Sequence, residues 1–180
     1  MKKLTQLTTF AIFTALMCIF GPMSVPIGPI PISLTNLILY LAIYLIGAVG
    51  STASYGVYLL LGLVGLPVFS GYQGGIGKLA GPTGGYFIGF IFITLISGFC
   101  FEKAQGKFRI PITFAGMIVS TLIAYFFGTV WFIYQMDCEV AYALSVCVFP
   151  FIPFDLAKMV LATILGIAVR KPLVKQGLIK

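Results

Sequence analysis

Apolar residues gather in six blocks along this chain, at residues 4–20, 33–49, 52–66, 83–101, 111–134 and 153–169. Each approaches the length of about 20 residues that a helix needs to cross a bilayer. The residues between them are helix breakers or charges. Four prolines, Pro22, Pro26, Pro29 and Pro31, exclude a helix from the first loop. Gly50-Ser51 is the expected break between the second and third blocks. A glycine-rich loop fills 67–82, and the run from Glu102 to Arg109 is charged and aqueous. Residues 137–150 are apolar but short, bounded by Pro150 and Pro153, and are read as a loop with a short helix at the membrane surface. The pattern predicts an all-α integral membrane protein, one domain over residues 1–180 with six transmembrane helices.

Composition agrees and excludes the alternatives. Of 180 residues, 60% are hydrophobic and 8% charged, where a soluble domain has about 45–50% and about 25%. Fifteen charges cannot cover a water-exposed surface, and the apolar content is far too high for a disordered chain. The net charge of +7 points to orientation in a bilayer rather than to nucleic acid. With the N-terminus in the cytoplasm, Lys2, Lys3, Lys103, Lys107, Arg109, Arg170, Lys171, Lys175 and Lys180 fall inside, nine of the eleven basic residues. Both termini are then cytoplasmic, and Asp137 and Glu139 lie outside with Trp131 and Tyr134 in an outer aromatic belt. Lys2 and Lys3 before an apolar run resemble a leader. No A-x-A site follows, however, and Met17 stands where a lipobox before Cys18 needs a small residue, so the run is expected to be a retained first helix.

Histidine is absent, which removes the commonest general base and metal ligand, and no metal site is expected. Cys18, Cys100, Cys138 and Cys147 form no CxxC pair and read as packing residues, with Cys138–Cys147 a weak disulfide candidate. Gly77-Lys78 fails the phosphate-loop pattern twice, at Tyr72 and at Leu79. Serine-hydrolase and zinc-protease motifs are missing too. Asp155 and Lys158 are the one ionisable pair inside a block, three residues apart on one helix face. They form either an internal ion pair near a helix start or a site for a ligand with N–H donors and an anionic group. The glycine-rich loop is a connector or, given Phe69, Tyr72 and Tyr86 in and beside it, a packed lid. Ala11-x-x-x-Ala15 and Gly85-x-x-x-Gly89 have the spacing that lets membrane helices approach closely. Two other classes stay open: a pore with the glycine-rich loop as filter, and an enzyme using Lys158 as a Schiff base.

Four stretches together resemble one family. GLVGLPVF at 62–69, Gly74-Gly75, LAGPTGGY at 79–86, and Pro150-Phe151-x-x-x-Asp155-x-x-Lys158 with Arg170 are similar to the BioY family of substrate-binding S components. The likeness spans nearly the whole chain. It implies six transmembrane helices in the cell membrane, biotin bound near the extracellular side, and no cofactor. It also implies a transmembrane T component and two cytoplasmic ATPases as partners, with Ala11 and Ala15 docking on the T component. In the implied site Asp155 accepts the ureido N–H groups, and Lys158 pairs with the carboxylate or neutralises Asp155. Asn36 or Thr35 completes the ureido contacts. Phe69, Gly81, Gly84, Gly85 and Tyr86 wall the apolar middle. The first loop departs from the family's V-P-F-T-L-Q: here Ile30-Pro31-Ile32-Ser33-Leu34 is followed by Thr35 in the glutamine's place, then Asn36.

Overall fold

A computed structural model of the chain describes residues 3–26 and 28–177. Lys2 and Lys180, two of the cations used for orientation, lie outside the described residues, as does the side chain of Lys3. Helix α1 (Lys3–Phe20) leads to a hairpin of β1 (Ser24–Val25) and β2 (Ile32–Ser33), with Val25 opposite Ile32. Then come α2 (Thr35–Leu63), the short α3 (Ile76–Ala80) and α4 (Gly84–Phe92). A π turn at Ile93–Ser97 carries α4 into α5 (Gly98–Lys103). A 3-10 turn at Gly106–Phe108 precedes α6 (Arg109–Met136), followed by α7 (Val140–Cys147) and α8 (Phe151–Lys175). Pro111 and Pro153 stand in the first turns of α6 and α8, where a missing N–H removes no helical hydrogen bond. Helix α7 is the short helix expected within 137–150.

Four stretches are long and apolar enough to cross a membrane: Thr35–Leu63, Gly84–Lys103, Gly106–Met136 and Val140–Lys175. Leu4–Phe20 is a shorter apolar helix. Helix α2 is two passes rather than one, because Gly47 breaks it with φ 68° and ψ −167°. The chain doubles back there. Thr35 and Tyr58 line one cavity, whereas Gly47 shares another with Glu102 and Arg170. The six apolar blocks thus become six helical passes. Large side chains such as Leu7, Phe126 and Ile164 remain more than half exposed, as a lipid-facing surface requires.

The break itself is three residues earlier than the sequence suggested. Gly50 and Ser51 are helical: Gly50 lies beneath the Phe10 ring of α1, and the Ser51 hydroxyl bonds back to the Gly47 carbonyl at 2.6 Å. Gly47 turns the chain because its left-handed φ is open to glycine at little cost. Its missing side chain also leaves room for the Glu102 carboxylate. That carboxylate accepts the Ala48 amide at 2.7 Å and so caps the arm that begins there. Glu102, read from sequence as a loop charge, is therefore a helix cap at the end of α5.

Helix α2 is the hub of the bundle. Tyr40, Tyr44, Tyr55 and Tyr58 are fully buried, and each hydroxyl reaches a different element. Tyr40 pairs with Thr121 of α6 at 2.6 Å and Tyr44 with Thr163 of α8 at 2.9 Å. Tyr55 donates to the Phe87 carbonyl of α4 and Tyr58 to the Val68 carbonyl of the glycine-rich loop, both at 3.0 Å. Elsewhere small residues set the spacing. Gly85 and Gly89 of α4 pack on α6 at Phe127 and Ala124, the internal packing expected of that pair.

Gly47→Ala is expected to destabilise the purified protein by about 2 kcal/mol or more, since it adds left-handed strain of about 1–2 kcal/mol to a clash with Glu102. Gly56, helical with no atom near its missing Cβ, supplies the control: Gly56→Ala is expected to be neutral or stabilising. Thermal unfolding of both variants in detergent checks this, and equal melting temperatures would refute it.

Candidate ligand-binding site

At the end of the bundle opposite Gly47, the hairpin, the glycine-rich loop and the starts of α2, α4 and α8 surround a cavity. It holds about 60 Å³ of free volume. Phe87, Phe90, Ile93 and Ala124 give it apolar walls, and Ser33, Thr35, Asn36, Asp155 and Lys158 a polar side. The α8 stripe Phe151, Asp155, Lys158, Met159, Ala162 and Gly166 is buried, so helical periodicity alone aims Asp155 and Lys158 inward. Where Gly166 meets the Tyr44 ring, a Cβ would lie 2.7 Å away; that contact sets α8 against the first arm of α2.

The pair is a network, not an isolated ion pair. Lys158 Nζ lies 3.1 Å from Asp155 Oδ1, the one salt bridge among the described residues. The same ammonium donates to the Ser33 carbonyl at 2.8 Å and to Asn36 Oδ1 at 3.0 Å. Its three N–H donors are thereby used. Asp155 Oδ1 also accepts Asn36 Nδ2 at 2.7 Å, and Oδ2 accepts the Tyr125 hydroxyl at 2.8 Å. A carboxylate offers about four lone-pair sites, so Oδ2 keeps acceptor capacity while Oδ1 is full. Each charge would cost about 2.5–3.5 kcal/mol at the centre of a span. Mutual pairing and hydrogen bonds to Ser33, Asn36 and Tyr125 offset that cost here.

The residues singled out from sequence divide into two groups. Asn36, Thr35, Asp155, Lys158 and Tyr86 all line the cavity. Tyr86 holds its place by donating to the Cys147 carbonyl at 2.5 Å, with its ring against Gly128. Phe69, Gly81, Gly84 and Gly85 stand behind the wall instead. Phe69 is fully buried, with its ring 4.6 Å from that of Phe87 and its tip on Gly62. Gly84 and Gly85 let α4 settle against Trp131, whose indole N–H donates to the Gly81 carbonyl at 2.9 Å. Trp131 therefore pins the glycine-rich loop rather than serving only as a belt residue. Gln135 adds a second tie, to the Ala80 carbonyl. The loop is packed at Phe69 while Tyr72 stays exposed, so two of the three aromatics favouring a lid are buried. Lys78 sits on α3, outside the cavity wall, and partial burial lowers its ammonium pKa. All four cysteines are free, Cys138 and Cys147 included. Ala11 and Ala15 face outward on α1.

Tyr125 escaped the sequence reading. Its signal was a stripe of polar tips four residues apart, Thr121, Tyr125 and Thr129, inside an otherwise apolar span. A buried hydroxyl in a bilayer needs a partner, and here the partner is Asp155.

This arrangement can now be set beside known proteins. Residues 1–175 match the family model described as the BioY family. The chain belongs to the BioY family. It is 35% identical to the biotin transporter BioY of Thermotoga maritima, over 92% of this chain and 96% of that protein. It is 34% identical to biotin transporter BioY2 of Lactococcus lactis subsp. cremoris, over 95% and 93%. Among solved structures it is similar to the S-component for biotin from an ECF-type ABC transporter, seen in a 2.1 Å crystal structure. The TM-score there is 0.84 at 32% identity, covering 94% of this chain and 93% of the other. Like its BioY relatives, the chain is a multi-pass membrane protein.

In this BioY-family site, removing one partner of a buried pair leaves an uncompensated charge, worth about 3–5 kcal/mol. Lys158→Met is expected to destabilise the ligand-free protein by that order. Adding Asp155→Asn is expected to recover most of the loss. Denaturant titration of the single and double variants measures the recovery; a double variant no more stable than Lys158→Met would show that the charges do not stabilise one another.

Proposed function

We propose that this chain is the membrane-embedded subunit that captures biotin for uptake, with energy supplied by ATPase partners in trans. The observation carrying this reading is the spare acceptor site on Asp155 Oδ2, presented on the wall of a largely apolar cavity. Biotin is a neutral ureido ring with two N–H donors, an apolar thioether ring and tail, and a carboxylate. In this reading the ureido N–H groups meet Asp155, with Asn36 and Thr35 beside them. Tyr86, Phe87, Phe90 and Ile93 enclose the apolar middle. Lys158 serves chiefly to neutralise Asp155, because its donors are already engaged. The names of the relatives, biotin transporters and a biotin S-component, support the same ligand. A transporter subunit of this kind is not an enzyme. A Schiff-base lysine needs a free nitrogen lone pair, whereas Lys158 Nζ is surrounded by three acceptors. The pore reading is not favoured either, since Tyr40, Ile43, Tyr44 and Met159 form a closely packed cluster within the bundle.

Orientation follows from charge. The cation-rich end carrying Arg109, Arg170 and Lys175 faces the cytoplasm in this reading, and the cavity opens outward. The partners are a T component and two ATPases, and outward-facing Ala11 and Ala15 supply a smooth strip for a partner helix.

Calorimetric titration of the detergent-purified chain with biotin tests the capture role. Tight one-to-one binding is expected. Asp155→Asn should weaken it at least about a hundredfold and Tyr125→Phe about tenfold, in line with lost charged and neutral-donor hydrogen bonds. Near-normal affinity in Asp155→Asn would remove that residue from the site. For docking, Ala11→Trp with Ala15→Trp is expected to abolish co-purification with a co-expressed T component. Biotin affinity should stay within about twofold. A complex that survives both tryptophans would place the contact elsewhere.

A further inference from the structure

Two buried side-chain hydroxyls lack a hydrogen-bond partner among the described residues, those of Thr83 and Thr129. They differ in one respect: Thr83 lines the cavity, whereas Thr129 is not part of its wall. Thr83 is 9% exposed and stands at the N-cap of α4. A threonine there ordinarily turns its oxygen back onto an amide of the first turn. Here it makes no such bond. Backbone carbonyls serve the turn instead, Gly81 accepting the Gly84 amide at 2.9 Å and Thr83 the Tyr86 amide at 3.2 Å. The hydroxyl proton is thus uncommitted, at a helix terminus whose partial charge is positive. Lys158, the basic residue on the wall, has all three protons engaged by Ser33, Asn36 and Asp155. An acidic ligand group that enters without dismantling that network finds at Thr83 a buried wall hydroxyl with no partner to give up.

We infer that the Thr83 hydroxyl donates a hydrogen bond to the carboxylate of the bound ligand, with the uncapped start of α4 adding electrostatic support. This rests on the biotin reading above. It assigns to a threonine and a helix end the anion recognition that was one of the two roles open to Lys158 from sequence. An unpartnered buried hydroxyl also burdens the ligand-free protein, so the same atom should reveal itself by a stability gain when it is removed.

The experiment titrates the full-length, detergent-purified chain with biotin and with biotinol, the alcohol that replaces its carboxyl group. Thr83→Val, Thr83→Ser and Thr129→Val are compared with wild type, and each is melted without ligand. Thr83→Val is expected to weaken biotin about tenfold or more and to bind biotinol within about threefold of wild type. Its ligand-free melting temperature should be equal or higher. Thr83→Ser should retain biotin affinity. Thr129→Val should gain stability with affinity unchanged. Thr83→Ala carries the same binding expectation should valine not fit. Wild-type biotin affinity in Thr83→Val and Thr83→Ala would overturn the assignment. So would an equal penalty for biotin and biotinol. Failure of the wild-type chain to bind biotin would instead overturn the ligand reading itself, and this inference with it.

Discussion

A carboxylate and an ammonium inside an apolar helix are tolerated only if nearly every lone pair and proton between them is matched. That requirement fixes much of this molecule. Asp155 and Lys158 sit one turn apart on α8, and their partners come from three other places: the Ser33 carbonyl of the hairpin, Asn36 at the start of α2, and Tyr125 on α6. Three stretches far apart in sequence, at 33–36, 125 and 155–158, are thus drawn to one point. The hairpin is two residues per strand, too short to hold a position by its own ladder. The ammonium anchors it. The cavity exists because these segments converge on the pair while Phe87, Phe90 and Ile93 keep the opposite wall apolar.

Convergence of helices needs a second device. In lipid, apolar side chains gain little by meeting one another, so helices associate through close packing and interhelical hydrogen bonds. Both are present and complementary. Small residues bring α4 to α6 at Gly85 and Gly89, α5 to α2 at Gly98, and α8 to α2 at Gly166. The four buried tyrosines of α2 then tie that helix by their hydroxyls to α6, α8, α4 and the glycine-rich loop. Tyr86 does both at once: its ring fits against Gly128, its hydroxyl ties α4 to the segment before α8, and its other face is cavity wall.

Block lengths and breakers made the six passes legible in the sequence, and the rarity of charge made Asp155 and Lys158 legible. What escaped had a local signal too weak to name its partner. Gly47 is one of four small residues near the turn, with Ala48, Gly50 and Ser51, and only the carboxylate of Glu102, 55 residues away, distinguishes it from Gly50. Tyr125 looked like one more aromatic in a span until α8 placed an acid beside it. The motif glycines misled in the opposite direction. The family resemblance put Gly81, Gly84 and Gly85 around the ligand, whereas the missing side chains of Gly84 and Gly85 make room for Trp131 and the α6 backbone. Glycine signals close approach; it does not say of what.

The completeness of the ion-pair network bears on how such a site can both bind and release. A ligand that had to displace Lys158 from its three acceptors would exchange good hydrogen bonds for similar ones and gain little. A ligand that uses the spare capacity of Asp155 Oδ2 and the uncommitted hydroxyl of Thr83 adds bonds without breaking any. Those added bonds come from α8 and α4, elements on different sides of the cavity. Separating the two sides would therefore remove ligand contacts while leaving the network of Asp155, Lys158, Asn36 and Tyr125 intact. Helix α4 is held to its neighbours by backbone contacts at Gly85 and by the ties of Trp131 and Gln135 to the glycine-rich loop. Helix α8 is held through the ion pair and Tyr44. Tyr86 bridges the two, with its hydroxyl on the Cys147 carbonyl and its ring 6.2 Å from that of Phe151, so parting the faces must break that bond, while the Asp155–Lys158 pair stays within α8.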